Sequence, residues 1–232
     1  MKICQYNTPD AVAAAGAQFL FNSAQHAISA RNQFTLALSG GQTPWQMLRI
    51  LAESDLPWDY VKILQVDERV APNQAKERNL SSLREALCDH IRLPPENLLA
   101  MPVVTGDLDA AAAKYANQLA NILGNQPVLD VVHLGLGSDG HTASLVPQDS
   151  VLETTDRDVD VTGMYCGNRR MTLTYPIINR ARDILWLIIG QNKSSMLDRL
   201  IKADISIPAG RVNPQRATIF TDVPVVSGQS GM

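Results

Sequence analysis

The 232-residue sequence predicts one doubly wound α/β domain over residues 1–232, with a mainly parallel sheet flanked by helices and a small accessory antiparallel β element. Three observations carry that prediction. The runs "FTLALS", "VKILQV", "VLDVVHLGLG" and "DILWLIIG" are almost continuously apolar, as strands covered on both faces must be. Helical stretches separate them, which gives parallel pairing the length of crossover it needs. Each run is followed at once by a glycine-bearing or charged segment, and in such sheets ligands gather at the carboxyl ends of the strands.

The elements follow in order. In "NTPDAVAAAGAQFLF" Thr8 caps a helix, Pro9 and Asp10 form its first turn, and Val12, Ala15, Phe19, Leu20 and Ala27 share a face. Gln18 interrupts the apolar part, which argues against a secretion signal. "FTLALS" is the first strand, and Thr43 and Pro44 start the helix "TPWQMLRILAES". "VKILQV" is the second strand. The helices "LSSLREALCDHI" and "LDAAAAKYANQLANIL" follow, the latter started by Asp107. "VLDVVHLGLG" is the third strand, and the segment from Asp149 to Thr174 supplies short β-like pieces for the accessory element. "DILWLIIG" and "NKSSMLDRLIKA" close the pattern as strand and helix.

Composition narrows the function classes. A net charge of -3 with both signs interspersed gives no footprint for nucleic acid or an anionic membrane surface. No apolar run reaches the roughly 18 residues of a membrane span. Cys4, Cys88 and Cys166 are odd in number and fit no metal spacing, so a reduced compartment and a soluble cytoplasmic protein are expected.

Four loops should face one cleft: "SGGQTP", "DERV", "GSDGHTA" and "GQNK". Ser39, Gly40 and Gly41 sit where backbone N–H groups at a helix start receive an anion, although a tight turn capped by a hydroxyl explains them equally. No GxxxxGK[ST] is present, so a phosphate monoester suits the loop better than a nucleotide. Asp67, Glu68 and Arg69 end the second strand; they are either its solvated end or a fork of donors oriented by acids. Gly135, Gly137 and Gly140 satisfy GxGxxG, yet Asp139 would repel a pyrophosphate and Pro147 cuts short the helix that should follow. A serine elbow centred on Ser138 would need glycine where Leu136 stands. What remains is Asp139 and His141, an imidazole able to take a proton near neutral pH beside a carboxylate that can orient it. His133 lies inside an apolar strand and reads as structural, while His26 and His90 lie in helical segments. Lys193 stands near a helix start, where a ligand phosphate or simple solvation explains it. Arg170 and Arg211 are ambiguous by themselves.

Together "LALSGGQTPWQML", "VDERVAP", "LGLGSDGHTASLVP", "RMTLTYPIIN", "GQNK" and "IPAGRVNP" resemble the 6-phosphogluconolactonase family across nearly the whole chain. The resemblance implies a fold related to glucosamine-6-phosphate deaminases and hydrolysis of 6-phospho-D-glucono-1,5-lactone to 6-phosphogluconate in the pentose phosphate pathway. It implies a phosphosugar lactone as partner and neither metal nor organic cofactor; a monomer or small homo-oligomer is expected. His141 would activate water, with Asp139 and Arg69 arranging it or the substrate. Ser39, Gly40, Gly41, Thr43, Asp67, Glu68, Gly137, Gly140, Arg170 and Lys193 would bind substrate or its phosphate. Val146 stands where the family usually has phenylalanine, and Arg78 precedes Asn79 where serine is common. Two other functions stay open: an amino-sugar phosphate isomerase or deaminase, whose relatives read DGHIAFNEP where this chain reads "DGHTASLVP", and a non-catalytic sugar-phosphate module.

Overall fold

A computed structural model describes residues 1–225. The four predicted strands are β2 (Phe34–Leu38), β3 (Val61–Gln65), β6 (Val131–Leu134) and β9 (Asp183–Ile188), following β1 (Lys2–Gln5). Helices α1 (Pro9–Arg31), α2 (Gln42–Ala52), α3 (Asn79–Ala86), α4 (Leu108–Leu123), α5 (Tyr175–Arg180) and α6 (Ser194–Ile201) lie between strands. Strands β4 (Asp67–Arg69), β5 (Leu98–Leu99), β7 (Val159–Val161), β8 (Arg170–Leu173) and β10 (Ala217–Thr221) complete the list.

Seven strands form a wholly parallel sheet in the order β1-β10-β9-β6-β2-β3-β5. Alternate residues bury opposite faces, as a sheet with two covered sides requires. Ile184, Trp186 and Ile188 join one core with residues of α4, α5 and α6. Leu185 and Leu187 join the other with residues of α1, α2 and α3. The strand order runs β2-β3-β5 one way and β2-β6-β9-β10-β1 the other, so the switch point lies between β2 and β6. A crevice outside the carboxyl ends at such a point is where ligands bind. The loops after β9, β6 and β2 are neighbours there: Gly190–Lys193, Gly135–His141 and Ser39–Gly41.

The accessory element is a three-stranded antiparallel sheet, β4-β8-β7. "DERV" is therefore a strand of a second sheet rather than the loop expected from sequence. Helix capping at α1 and α4 follows the sequence: Thr8 Oγ1 accepts from Ala11 N at 3.1 Å and Asp107 from Ala110 N at 3.0 Å. At α2 it does not. Gly41 is the cap, Gln42 the first helical residue, and Thr43 makes no capping bond. Strands β1, β5 and β10 were not predicted from sequence, so a strand precedes α1. Among the described residues no helix is long and apolar enough to cross a membrane.

Candidate active site

The loop after β6 bends without becoming a helix, which removes the structural basis of dinucleotide binding by its glycines. Gly137 N donates to His141 O at 2.8 Å and Gly140 N to Gly137 O at 3.1 Å, folding the loop back on itself. A methyl group on Gly137 would lie 2.1 Å from His141 Nδ1, so only glycine lets the imidazole pack there. The Gly140 carbonyl accepts from Ala209 N at 2.9 Å, tying the loop to the "IPAGRVNP" segment.

His141 Nδ1 lies 2.6 Å from Asp139 Oδ1, and the same oxygen accepts from His141 N at 3.1 Å. An ionised carboxylate only accepts, so Nδ1 carries a proton, and in the neutral ring Nε2 is the nitrogen with the lone pair. Partial burial works against the Asp139 charge, yet the donors from His141 and Tyr165 outweigh it and hold its carboxyl below the ordinary range. The Tyr165 hydroxyl donates to Asp139 Oδ2 at 2.9 Å. Burial and the neighbouring Asp139 push that phenol up to about 12, so it remains a donor.

A second set of contacts reaches the site from β4 and β8. Asp67 and Arg69 pair with Thr172 and Arg170 in register and share one face of the small sheet. Ser144 Oγ donates to Asp67 Oδ2 at 2.6 Å, and Arg170 Nη1 stands 3.9 Å from the same oxygen. Burial raises the Asp67 carboxyl, with Ser144, Arg170 and Arg69 pulling the other way. The Arg170 guanidinium also sits 5.0 Å over the Tyr165 ring. Among the described residues its buried Nε has no hydrogen-bond partner, a condition that a ligand oxygen would relieve. Asn79 Nδ2 donates to Asp67 O at 2.9 Å, and a methyl group on Gly40 would lie 2.2 Å from Asn79 Oδ1. Gly40 therefore lets the Ser39–Gly41 loop close against Asn79, whose role was open in the sequence. Ser39 N in turn points at His133 Nδ1 at 3.4 Å. Burial takes His133 down to about 3, so it is neutral and structural, as the sequence suggests.

Glu68, expected from sequence to bind substrate, lies apart from Asp67. Strand alternation turns it to the opposite face from Asp67, fully buried, where five donors surround it. Gln65 Nε2, Arg69 N, Asn79 N and Leu80 N lie at 2.7, 2.8, 2.9 and 2.9 Å, and Arg78 Nε at 3.2 Å. Its carboxylate thus caps α3 from outside that helix, and Arg78 is the buried cation that balances it. Arg69 also differs: Nη1 donates to the Glu77 carbonyl, and it makes no hydrogen bond to Asp139 or His141. Arg170 is the arginine linked to that pair, through Tyr165. Lys193 stands half-buried immediately before α6, in the loop that follows β9, the strand neighbouring β6. Tyr165 and Ser144 were missed in the sequence: Tyr165 falls in its least regular segment, and Ser144 was read only as part of "HTASL". Among the described residues no group of three or more His, Cys, Asp or Glu side chains could hold a metal ion.

A family model described as glucosamine-6-phosphate isomerases/6-phosphogluconolactonase matches residues 7–221. A 6-phosphogluconolactonase of a Nostoc species is 37% identical over 196 residues, covering 82% of this chain and 81% of its own. One from a Synechocystis species is 36% identical over 201 residues, 84% and 83% of the two chains. The solved 6-phosphogluconolactonase of Trypanosoma cruzi superposes with a TM-score of 0.85 at 26% identity, over 95% of this chain and 93% of that one.

Proposed function

This chain belongs to the glucosamine-6-phosphate isomerase/6-phosphogluconolactonase family, and we propose that within it the chain hydrolyses 6-phospho-D-glucono-1,5-lactone to 6-phospho-D-gluconate, a step of the pentose phosphate pathway. The observation that carries the reading is the Asp139–His141 pair, which leaves an imidazole Nε2 as a base at the sheet's switch point. A lactone carbonyl is already activated, so a held water and a base suffice. His141 Nε2 takes the proton as water attacks the carbonyl carbon; as the tetrahedral intermediate collapses, the C–O bond to the ring oxygen breaks and the imidazolium returns its proton to that oxygen, leaving a hydroxyl and the carboxylic acid, which ionises in water. Asp139 stabilises the imidazolium that forms. Backbone N–H groups of the Ser39–Gly41 loop and Lys193 receive the phosphate, and Arg170, buried with a free Nε–H, receives a substrate oxygen. Arg69, through the Glu77 carbonyl, steadies the loop before α3.

The deaminase reading is disfavoured by packing. The asparagine and acid of DGHIAFNEP fall on Leu145 and Val146, two buried aliphatic side chains that carry neither an amide nor a carboxylate. The test is acid release from freshly prepared lactone, followed against its spontaneous hydrolysis. Acceleration over background is expected; a rate equal to background, or ammonia release from glucosamine 6-phosphate, overturns the reading. A cytoplasmic location and a monomeric or small homo-oligomeric state belong to the same proposal.

A further inference from the structure

We infer that Tyr165 is a positioning residue for this hydrolysis: its hydroxyl clamps the free oxygen of Asp139, and so fixes His141 with Nδ1 protonated and Nε2 as the base. The inference rests on His141 acting as that base. Asp139 and His141 lie two residues apart in a loop, and Asp139 is 38% exposed at its side chain, so water competes for its oxygens. Oδ1 is taken by the Nδ1–H and N–H of His141, and Oδ2 by Tyr165. The tyrosine oxygen is also 3.3 Å from Nδ1, but that nitrogen already gives its proton to Asp139 and cannot accept. With both oxygens engaged, rotation of the carboxylate would break three donors at once.

Tyr165 is itself held in place. It opens the turn between β7 and β8, where Tyr165 N donates to Asn168 O at 3.0 Å and Asn168 N to Tyr165 O at 3.2 Å. Cys166 and Gly167 both adopt positive φ, 49° and 84°, so the turn is tight. Arg170, from β8, stacks on the ring with Asp67 of β4 behind it, and Cys166 lies beside the phenol. These are the charged and titratable groups that face Tyr165. The small antiparallel sheet thereby transmits its geometry to a loop of the large parallel one, through Asp67, Arg170, Tyr165 and Asp139 to His141.

The test uses the full-length protein and the variants Tyr165→Phe, Asp139→Asn, their double variant and His141→Asn. Tyr165→Phe keeps the ring and is expected to lower kcat about tenfold, the scale of one hydrogen bond to a charged group. KM should change by less than about twofold, since the hydroxyl does not touch substrate. Relieved of one donor, Asp139 presents more negative charge to the imidazolium, so the acid limb of kcat against pH moves to higher pH. Adding Tyr165→Phe to Asp139→Asn should cost nothing more. Full activity in His141→Asn overturns the base itself. With His141→Asn inactive, the clamp is overturned if Tyr165→Phe leaves kcat and its pH profile unchanged, or costs the same factor with and without Asp139.

Discussion

The loop after β6 and the strand β4 each bring an acid to the same site, and the two acids behave oppositely. Asp139 is exposed enough to hydrate, but the donors of His141 and Tyr165 favour its charged form and its carboxyl titrates low. Asp67 is 4% exposed, and burial outweighs Ser144, Arg170 and Arg69, so its carboxyl is raised. Next to it, Glu68 is more deeply buried still, yet it collects five donors and a buried guanidinium. The difference teaches that burial alone does not set the role of an acid here. Donors hold the Asp139 carboxylate against the imidazole of His141 and the Glu68 carboxylate at the start of α3, whereas at Asp67 burial outweighs the donors.

Three experiments would break or sharpen that comparison. The largest effect belongs to the working loop: His141→Asn should lower kcat by about 10²- to 10⁴-fold, the usual worth of general base catalysis, with an unchanged thermal melt. A variant with native turnover would end the contrast between a working loop and a supporting strand. Next comes the anchor. Glu68→Gln leaves Arg78 buried without its anion, and unfolding in urea at pH 7 should lose about 3 kcal/mol. KM of the folded variant should stay within about twofold of native, because strand alternation turns Glu68 to the face opposite Asp67. A large KM change with unaltered stability would return Glu68 to the substrate side.

The smallest effect concerns Asp67 and carries a pH sign. Its folded carboxyl is raised above the unfolded value of about 3.9, so the unfolded chain sheds this proton first and the charge opposes folding at neutral pH. The group's stabilising contribution is present below the unfolded value and lost as pH rises through the folded one. Asp67→Asn should therefore raise stability by about 1 kcal/mol at pH 7, with the gain vanishing in acid, while turnover falls. Urea midpoints from acid to neutral pH check it. A loss of stability at pH 7 would mean that the donors from Ser144 and Asn79, rather than burial, govern this carboxylate.

Much of the fold was legible because its signals are local. A strand covered on both faces must be apolar throughout, which marked β2, β3, β6 and β9. Thr8 and Asp107 cap helices through bonds three residues long, and those were read correctly. The Asp139–His141 pair was legible for the same reason, being two residues apart in one loop. Gly137 and Gly40 were flagged as loop glycines, although the atoms that demand them, His141 Nδ1 and Asn79 Oδ1, were invisible.

What only tertiary structure decided depends on partners far along the chain. β1 is four residues long and exists because residues 2–5 pair with 218–221, and two-residue β5 exists because it lies along β3. The division of labour between Asp67 and Glu68 rests on a two-residue alternation whose phase was fixed only when β4 paired with β8. The capping of α3 by Glu68 and the seating of Tyr165 on Asp139 join segments 11 and 26 residues apart. By itself the sequence determined the four central strands, the main helices and the loop that holds the Asp139–His141 pair. Packing decided which face each acid occupies and which hydroxyl reaches it, since register and burial belong to pairs of segments and not to either segment alone.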